Sequence, residues 1–379
     1  MRVCMQPKDD VTEQDDVTGR YTSAFPVYAA YATRLHALMS DLLKSENLEV
    51  VQIESRAKAV ESLIQKIQRK KSSESDPLQS VTDLVGIRII TYYLEDVARV
   101  GELLGREFTI DAENSMDKAE ALASDQFGYR SAHYVITLDD SRADLLEWAP
   151  FKGMKAEVQV RTSLQHAWAA VSHKLEYKSS QAAPAQLQRR LFRLSALFEM
   201  ADEQFSILRD ESNATDSAYR AEVRKGRLDV PIDSSSIAAY MSITGRADEY
   251  RTMFKESGHQ TEDIKPVPAD RIRRDQSDLV KVLKAVGITT LEELDEYLSE
   301  KDRLEKIAKR LDAVFEDDSG EGSIFDLLTL VVLLDRDKSP APGLPIYTEE
   351  FSARIAALRE ELQSKSSRRS NSGRRPSAS

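Results

Sequence analysis

One cysteine, two tryptophans and five histidines are all that the 379 residues contain of those types. Each shortage removes a class of explanation. A lone Cys4 supports neither a disulfide within the chain nor a cysteine-bearing zinc site, which fits a reducing compartment. Long apolar runs are also lacking: the longest, residues 324–334, is too short to span a bilayer and contains Asp326. The opening residues give way at once to Asp9, Asp10, Asp15 and Asp16, without the apolar stretch of a secretory signal. The expectation is a soluble, cytoplasmic protein. Excess positive charge is missing too. A net charge of -11 disfavours an extended nucleic-acid surface, so any polyanion must be held locally.

What is present describes a folded chain. A hydrophobic fraction of 41% with 31% charged residues argues against overall disorder, and the length suits roughly two domains of about 150 residues each. Residues 1–20 are acidic and poor in apolar side chains, and read as a disordered arm. A first domain is expected over residues 21–225, with Pro231 marking the linker to a helical module over residues 231–337. Residues 338–363 read as a linker and short helix, and residues 364–379 as a disordered basic tail.

Within the first domain, residues 21–44 carry apolar positions at helical spacing, and residues 50–54 read as a short strand. Residues 56–71 give the clearest helical pattern. Val60, Leu63, Ile64 and Ile67 form one stripe, while Lys58, Ser62, Lys66 and Lys70 advance in steps of four on another. Residues 83–93 are β-branched and aromatic, a central strand with Asp83 at its start, followed by a helix over residues 96–107. Residues 111–127 read as a loop. Residues 128–136 pass from a glycine turn into a strand, and residues 155–161 alternate strictly, with Ala156, Val158 and Val160 on one side and Glu157, Gln159 and Arg161 on the other. A face of such polar residues is costly to bury unpaired, so it is expected to line a wet cleft. Helical spacing returns over residues 162–177, and residues 187–208 form a long amphipathic helix that closes the domain. Strands interleaved with helices indicate an α/β (α+β) layer.

Transferring a phosphoryl or pyrophosphoryl group needs cations around a polyphosphate, carboxylates for magnesium and a positioned hydroxyl. Arg56, Lys58, Lys66 and Lys70 supply cations; Asp83 and Glu157 sit at or on strands where they can share one ion; Tyr129 beside Gly128 offers a plate for a base. Singly, each has an ordinary explanation. A lysine run is usually a solvated face, Glu157 and Arg161 an exposed ion pair, and His166 and His173 structural histidines. Their joint occurrence in this order carries the weight.

Ser55-Arg56-Ala57-Lys58 with Lys66, the DLVGIRI run from Asp83, GYRSAHYVI from Gly128, and EVQVRT from Glu157 with HKLEYK from His173 resemble the motif series of the RelA/SpoT synthetase domain. The resemblance covers residues 25–208. It implies a nucleotidyltransferase-like mixed β-sheet flanked by helices, followed here by a smaller, mainly helical module. It also implies transfer of the β,γ-pyrophosphate of ATP to the 3′-hydroxyl of GDP or GTP, making (p)ppGpp. Carried over by motif, Arg56 and Arg88 would face adenine, Lys58, Ser62 and Lys66 would bind ATP, and Asp83 and Glu157 would be catalytic and hold Mg2+. Tyr129 would stack on the acceptor guanine, with His133, Gln159 and Arg161 shaping the rest of the acceptor site. Lys70, His166, His173 and Lys174 are additional candidates. A homo-oligomer is left open.

Two departures matter. Many relatives have Pro-Lys-x-Asn where this chain has Ser124-Asp125-Gln126-Phe127, which removes a phosphate-binding lysine from the acceptor side. None of the five histidines, His36, His133, His166, His173 and His259, is followed by aspartate, so the hydrolase doublet of the bifunctional relatives is not expected. The rival readings are an enzyme that pyrophosphorylates the tRNA 3′ end and a catalytically idle scaffold for a partner.

Overall fold

Valine, isoleucine and threonine crowd the segments that form the sheet, because side chains branched at Cβ suit a pleated surface. The computed structural model describes residues 9–70, 78, 81–117, 131–177, 185–262, 266–311, 322–336, 353 and 355–360. The chain divides into two units, Met1–Arg209 and Asp210–Ser379. The first contains α1 (Asp9–Ser45), β1 (Val50–Ala57), α2 (Val60–Lys70), β2 (Val85–Thr91), α3 (Leu94–Glu107), β3 (Phe108–Ile110) and β4 (Met116–Asp117). It continues through β5 (Ala132–Leu138), a single turn α4 (Asp140–Ala143), β6 (Ala156–Thr162), α5 (Ser163–Tyr177) and most of α6 (Ala185–Arg224).

The strands lie in the order β1-β2-β6-β5-β3, with β4 also pairing to β5. The sheet is mixed: β2 and β6 are parallel, and the other pairs antiparallel. Its two faces differ sharply. Val85, Ile87 and Ile89 of β2 and Ala156, Val158 and Val160 of β6 pack with Tyr31, Leu35, Met39 and Leu43 of α1 and Val100, Leu103 and Leu104 of α3. Each such buried side chain stabilises the fold by about 1.5–3 kcal/mol. The alternate residues make the opposite face polar. Parallel register sets Gly86 against Glu157 and Arg88 against Gln159, so the polar positions of the two strands fall into line. A slip of one residue would drive Glu157 and Gln159 into the core, which fixes the register.

Three expectations need correcting. Helix α1 starts at Asp9, inside the segment expected to be a disordered arm, and Val17 is only 2% exposed. A few apolar residues packed onto the rest of the unit suffice to order an acidic segment. Second, the helix expected from residue 56 begins at Val60, because Arg56 and Ala57 still pair with Gly86 and Val85 as the end of β1. Third, α6 does not bury the stripe that closes the domain in the sequence reading. Of that stripe Leu191 is buried, but Leu194, Leu197, Phe205 and Leu208 are exposed, whereas Ser195, Asp202 and Ser206 are buried. The helix docks through polar groups: Asp202 accepts from Thr162 at 2.7 Å, Ser206 donates to Glu95 at 2.9 Å, and Arg209 bonds both Glu95 and Asp96. Helix α5 behaves likewise, with Val171 exposed and Gln165 and Ser172 buried.

The second unit is helical among the described residues, with α7 (Ser234–Ile243), α8 (Arg246–Glu256), α9 (Ala269–Ala285), α10 (Leu291–Leu298), α11 (Lys301–Ala308) and α12 (Ile324–Asp335). Gly287, at φ 87°, ends α9 in the left-handed conformation that glycine adopts without strain. Thr290 and Glu293 then form the capping box that starts α10. The apolar run becomes α12, which is buried along nearly its whole length in the core of this unit. Residues 355–360 are helical; the remainder of the expected linker, and the tail over residues 364–379, lie outside the described residues. No described helix is long and apolar enough to cross a membrane.

Asp326 breaks the apolar character of α12. Burial pushes its pKa up to about 6, helped by the charges of Asp275 and Asp278 and opposed by Arg271. An unfolded aspartate loses its proton near pH 4, so the folded state pays a rising penalty from pH 4 to 6 and the full penalty above. Asp326→Asn is therefore expected to stabilise the unit by about 2–3 kcal/mol at pH 8. The gain should vanish near pH 3.5. Urea melts at both pH values check this, and a gain that does not depend on pH would contradict the assignment.

Candidate active site

The polar face of the sheet holds a cavity of about 270 Å³, lined by Glu54 and Arg56 of β1, Asp83, Gly86 and Arg88 in and before β2, and Glu157 and Gln159 of β6. Glycine at position 86 keeps the floor low. A Cβ there would meet the Arg56 side chain at 3.8 Å, so Arg56 lies across this position.

Asp83 stands two residues before β2 and meets two ammonium groups. Lys58 Nζ donates to Oδ2 at 2.7 Å, and Lys66 Nζ lies 2.9 Å from Oδ1. Oδ1 receives no aligned hydrogen bond, so the Lys66 contact is a pairing of charges. Burial by itself would raise the Asp83 pKa, but the two lysines outweigh it and hold the carboxyl below its ordinary range. Lys58 is fixed at its backbone as well as its tip. Its N–H donates to Leu84 O at 2.9 Å, and its carbonyl accepts from Tyr21 Oη at 2.6 Å. Tyr21, wholly buried, packs with Leu63, Val81 and Leu84, the residues that flank the lysines and Asp83. Burial, then the neighbouring Tyr28 and Asp83, pushes its hydroxyl up to about 12.

Glu157 belongs to a second cluster. His133 Nδ1 lies 2.6 Å from Glu157 Oε1, and Ser131 Oγ lies 2.7 Å from His133 Nε2. The β5–β6 register places His133 opposite Gln159, so its ring reaches Glu157 diagonally along one face. Burial raises the Glu157 pKa and the Asp83 charge adds to that, but His133, with Gln159, brings it below the ordinary value. Both carboxylates are thus ionised at neutral pH and repel across one cavity.

A third row is cationic. Arg88 pairs with Glu54 at 2.6 Å, and Arg161, 7% exposed, donates to Gln159 at 3.2 Å. Burial and the nearby Arg88 bring the Arg161 pKa down to about 10, with Glu54 opposing. Burial, then Arg161 and Arg88, likewise lowers that of His166.

Arg56, Lys58, Lys66, Asp83, Arg88, His133, Glu157, Gln159 and Arg161, expected from sequence, therefore gather on this face, with His166 beside Arg161. Ser62 on α2 and His173 and Lys174 on α5 are exposed and do not line the cavity. Tyr129, the Ser124 to Phe127 segment and the Lys70 side chain lie outside the described residues. Sequence reading missed Glu54, Gly86, Ser131 and Tyr21. Glu54 and Ser131 each had a signal: they precede Arg56 and His133 by two residues and share their strand faces.

Among the described residues no group of three His, Cys, Asp or Glu side chains is gathered to hold a metal. Asp83 and Glu157 bring two carboxylates to one cavity, which Glu54, paired with Arg88, also lines. Such a pair suits a hard cation whose remaining ligands are water and phosphate oxygens.

Residues 55–182 match the family described as the region found in RelA / SpoT proteins. Over 170 residues the chain is 29% identical to GTP pyrophosphokinase YjbM of Bacillus subtilis (strain 168), covering 44% of this chain and 75% of that protein. Over 159 residues it is 27% identical to GTP pyrophosphokinase YwaC of the same organism, covering 41% and 72%. Among solved structures, that of small alarmone synthetase 1 from Bacillus subtilis is 25% identical, with a TM-score of 0.44, covering 52% of this chain and 99% of that one. Lys58, Lys66, Asp83, His133 and Glu157 all lie within the segment that matches the region found in RelA / SpoT proteins.

Proposed function

We propose that the first unit is a pyrophosphokinase that moves the β,γ-pyrophosphate of ATP to the 3′-hydroxyl of GDP or GTP, in the cytoplasm where these nucleotides are found. The observation that carries this reading is the pairing of Asp83 with two lysines on one side of a cavity whose other side is Glu157. The names of YjbM and YwaC support it.

In this reading Lys58 and Lys66 take the ATP phosphates, and Arg56 and Arg88 flank the adenine. Asp83 and Glu157 would hold Mg2+, which neutralises charge on the transferred group when bound. The acceptor oxygen attacks the β-phosphorus, the bond from that phosphorus to the oxygen shared with the α-phosphate breaks, and AMP leaves. Glu157, oriented by His133 at 2.6 Å, receives the hydroxyl proton. Gln159 and Arg161 hold the acceptor in line, and Tyr129 stacks on its base.

Purified chain with magnesium and γ-labelled ATP, offered GDP, GTP and deacylated tRNA side by side, tests the reading. Label is expected on GDP or GTP. Label on tRNA alone would favour the second reading, which the altered segment Ser124-Asp125-Gln126-Phe127 motivates. No label on any acceptor would leave the scaffold reading.

A further inference from the structure

Both oxygens of Asp83 have cations beside them: Lys58 at 2.7 Å and Lys66 at 2.9 Å. A divalent ion approaching this carboxylate meets two positive charges at contact distance from the same oxygens it needs. Repulsion of that kind is large wherever water is partly excluded. The Asp83 and Lys58 side chains are 17% and 11% exposed, whereas that of Lys66 is 36% exposed. Lys58 is further tied down by Tyr21 and Leu84 through its backbone. Lys66 is carried by α2, and its side chain is the more exposed of the two. It is the cation that can leave.

We propose that Lys58 and Lys66 are internal counter-cations that keep a divalent metal off Asp83 until a nucleotide polyphosphate draws Lys66 away, so that metal and nucleotide bind cooperatively. This rests on the reading of the cavity as an ATP site. A triphosphate competes for the same ammonium groups with several negative charges. Once Lys66 turns to it, Asp83 loses one of its two counter-charges, and its repulsion from Glu157 favours a dication between them. Reciprocity requires that the metal then strengthen nucleotide binding by the same factor. The arrangement would also spare the free protein from capturing stray divalent ions. If Lys66 were a phosphate clamp and nothing more, its loss would weaken nucleotide binding and leave metal binding to the free protein unchanged.

The two roles differ in sign, which makes the test direct. Mn2+ binding to the full chain without nucleotide is measured by electron paramagnetic resonance for the native chain, Lys66→Gln and Lys66→Arg. Lys66→Gln is expected to bind Mn2+ about tenfold more tightly than the native chain. Lys66→Arg, which keeps the charge, should stay close to native. Adding a non-hydrolysable ATP analogue should raise the Mn2+ affinity of the native chain and shrink its difference from Lys66→Gln. Equal Mn2+ affinity for the native chain and Lys66→Gln overturns the proposal, as does a tightening that Lys66→Arg shares. Lys66→Met serves as a second variant should the glutamine form lose its native circular dichroism. A fluorescent ATP analogue separates this from the functional reading: no nucleotide binding by the native chain refutes the ATP site itself.

Discussion

Asp83→Asn is expected to lower pyrophosphate transfer on the order of 10³-fold and to destabilise the first unit by about 2–3 kcal/mol. The activity loss follows from removing the cavity carboxylate that meets both lysines. The stability loss has a separate origin. Asparagine keeps an acceptor for Lys58 but leaves two ammonium groups without a counter-charge, one of them 11% exposed. The Asp83 pKa is held down in the folded state, so its stabilising effect is present above the unfolded value near pH 4. That effect is lost as pH falls through the depressed folded value. The native chain and the variant should therefore differ in urea midpoint at pH 7 and converge in strong acid. Midpoints that differ equally at both pH values would mean that the carboxylate charge is not what holds this corner together.

Glu157→Gln is expected to cut turnover by a factor of about 10³ or more while leaving the fold intact. Shape is preserved, so packing against β2 and β5 is unchanged. Charge is removed, and with it the repulsion from Asp83 that tends to raise the Glu157 pKa. The lost His133 pairing works the other way, so the net stability change should stay within about 1 kcal/mol. This contrast with Asp83→Asn is the useful part. Turnover and thermal melts measured together decide it. If Glu157→Gln destabilised the unit as much as Asp83→Asn, its carboxylate would be a structural anchor and the acceptor-side assignment would fall.

Legibility in the sequence followed the range of the interactions. Alternation in Ala156, Glu157, Val158, Gln159 and Val160 is set by the pleat, and it separated the buried face from the cavity face, although Arg161, next in the series, is itself buried. The helix expected from residue 56 failed for a complementary reason. Lysines at steps of four satisfy helical spacing, yet Arg56 and Ala57 are held in a strand by Gly86 and Val85, partners about thirty residues away that no local pattern reveals. Both lysines still converge on Asp83, one from the link after β1 and one from α2. Apolar spacing also misled on most of α6, whose buried stripe is Leu191 followed by Ser195, Asp202 and Ser206. Buried hydrogen-bonded polar residues leave no hydrophobic signature. Glu54 was missed for another reason: its partner Arg88 faces it across the β1–β2 ladder, 34 residues on.

The register of the parallel ladder has a consequence for how the two carboxylates are spaced. Lys58 and Asp83 are 25 residues apart in sequence, Tyr21 and Lys58 37, and His133 and Glu157 24. The Asp83 half and the Glu157 half of the cavity are thus each closed by contacts of modest sequence separation. What joins them is the pairing of Gly86 with Glu157 and of its neighbours along β2 and β6. The gap between Asp83 and Glu157 is consequently ruled by main-chain hydrogen bonds, whose spacing no side-chain substitution alters while the ladder stands. The two halves are free to vary in composition, and the ruler between them is not.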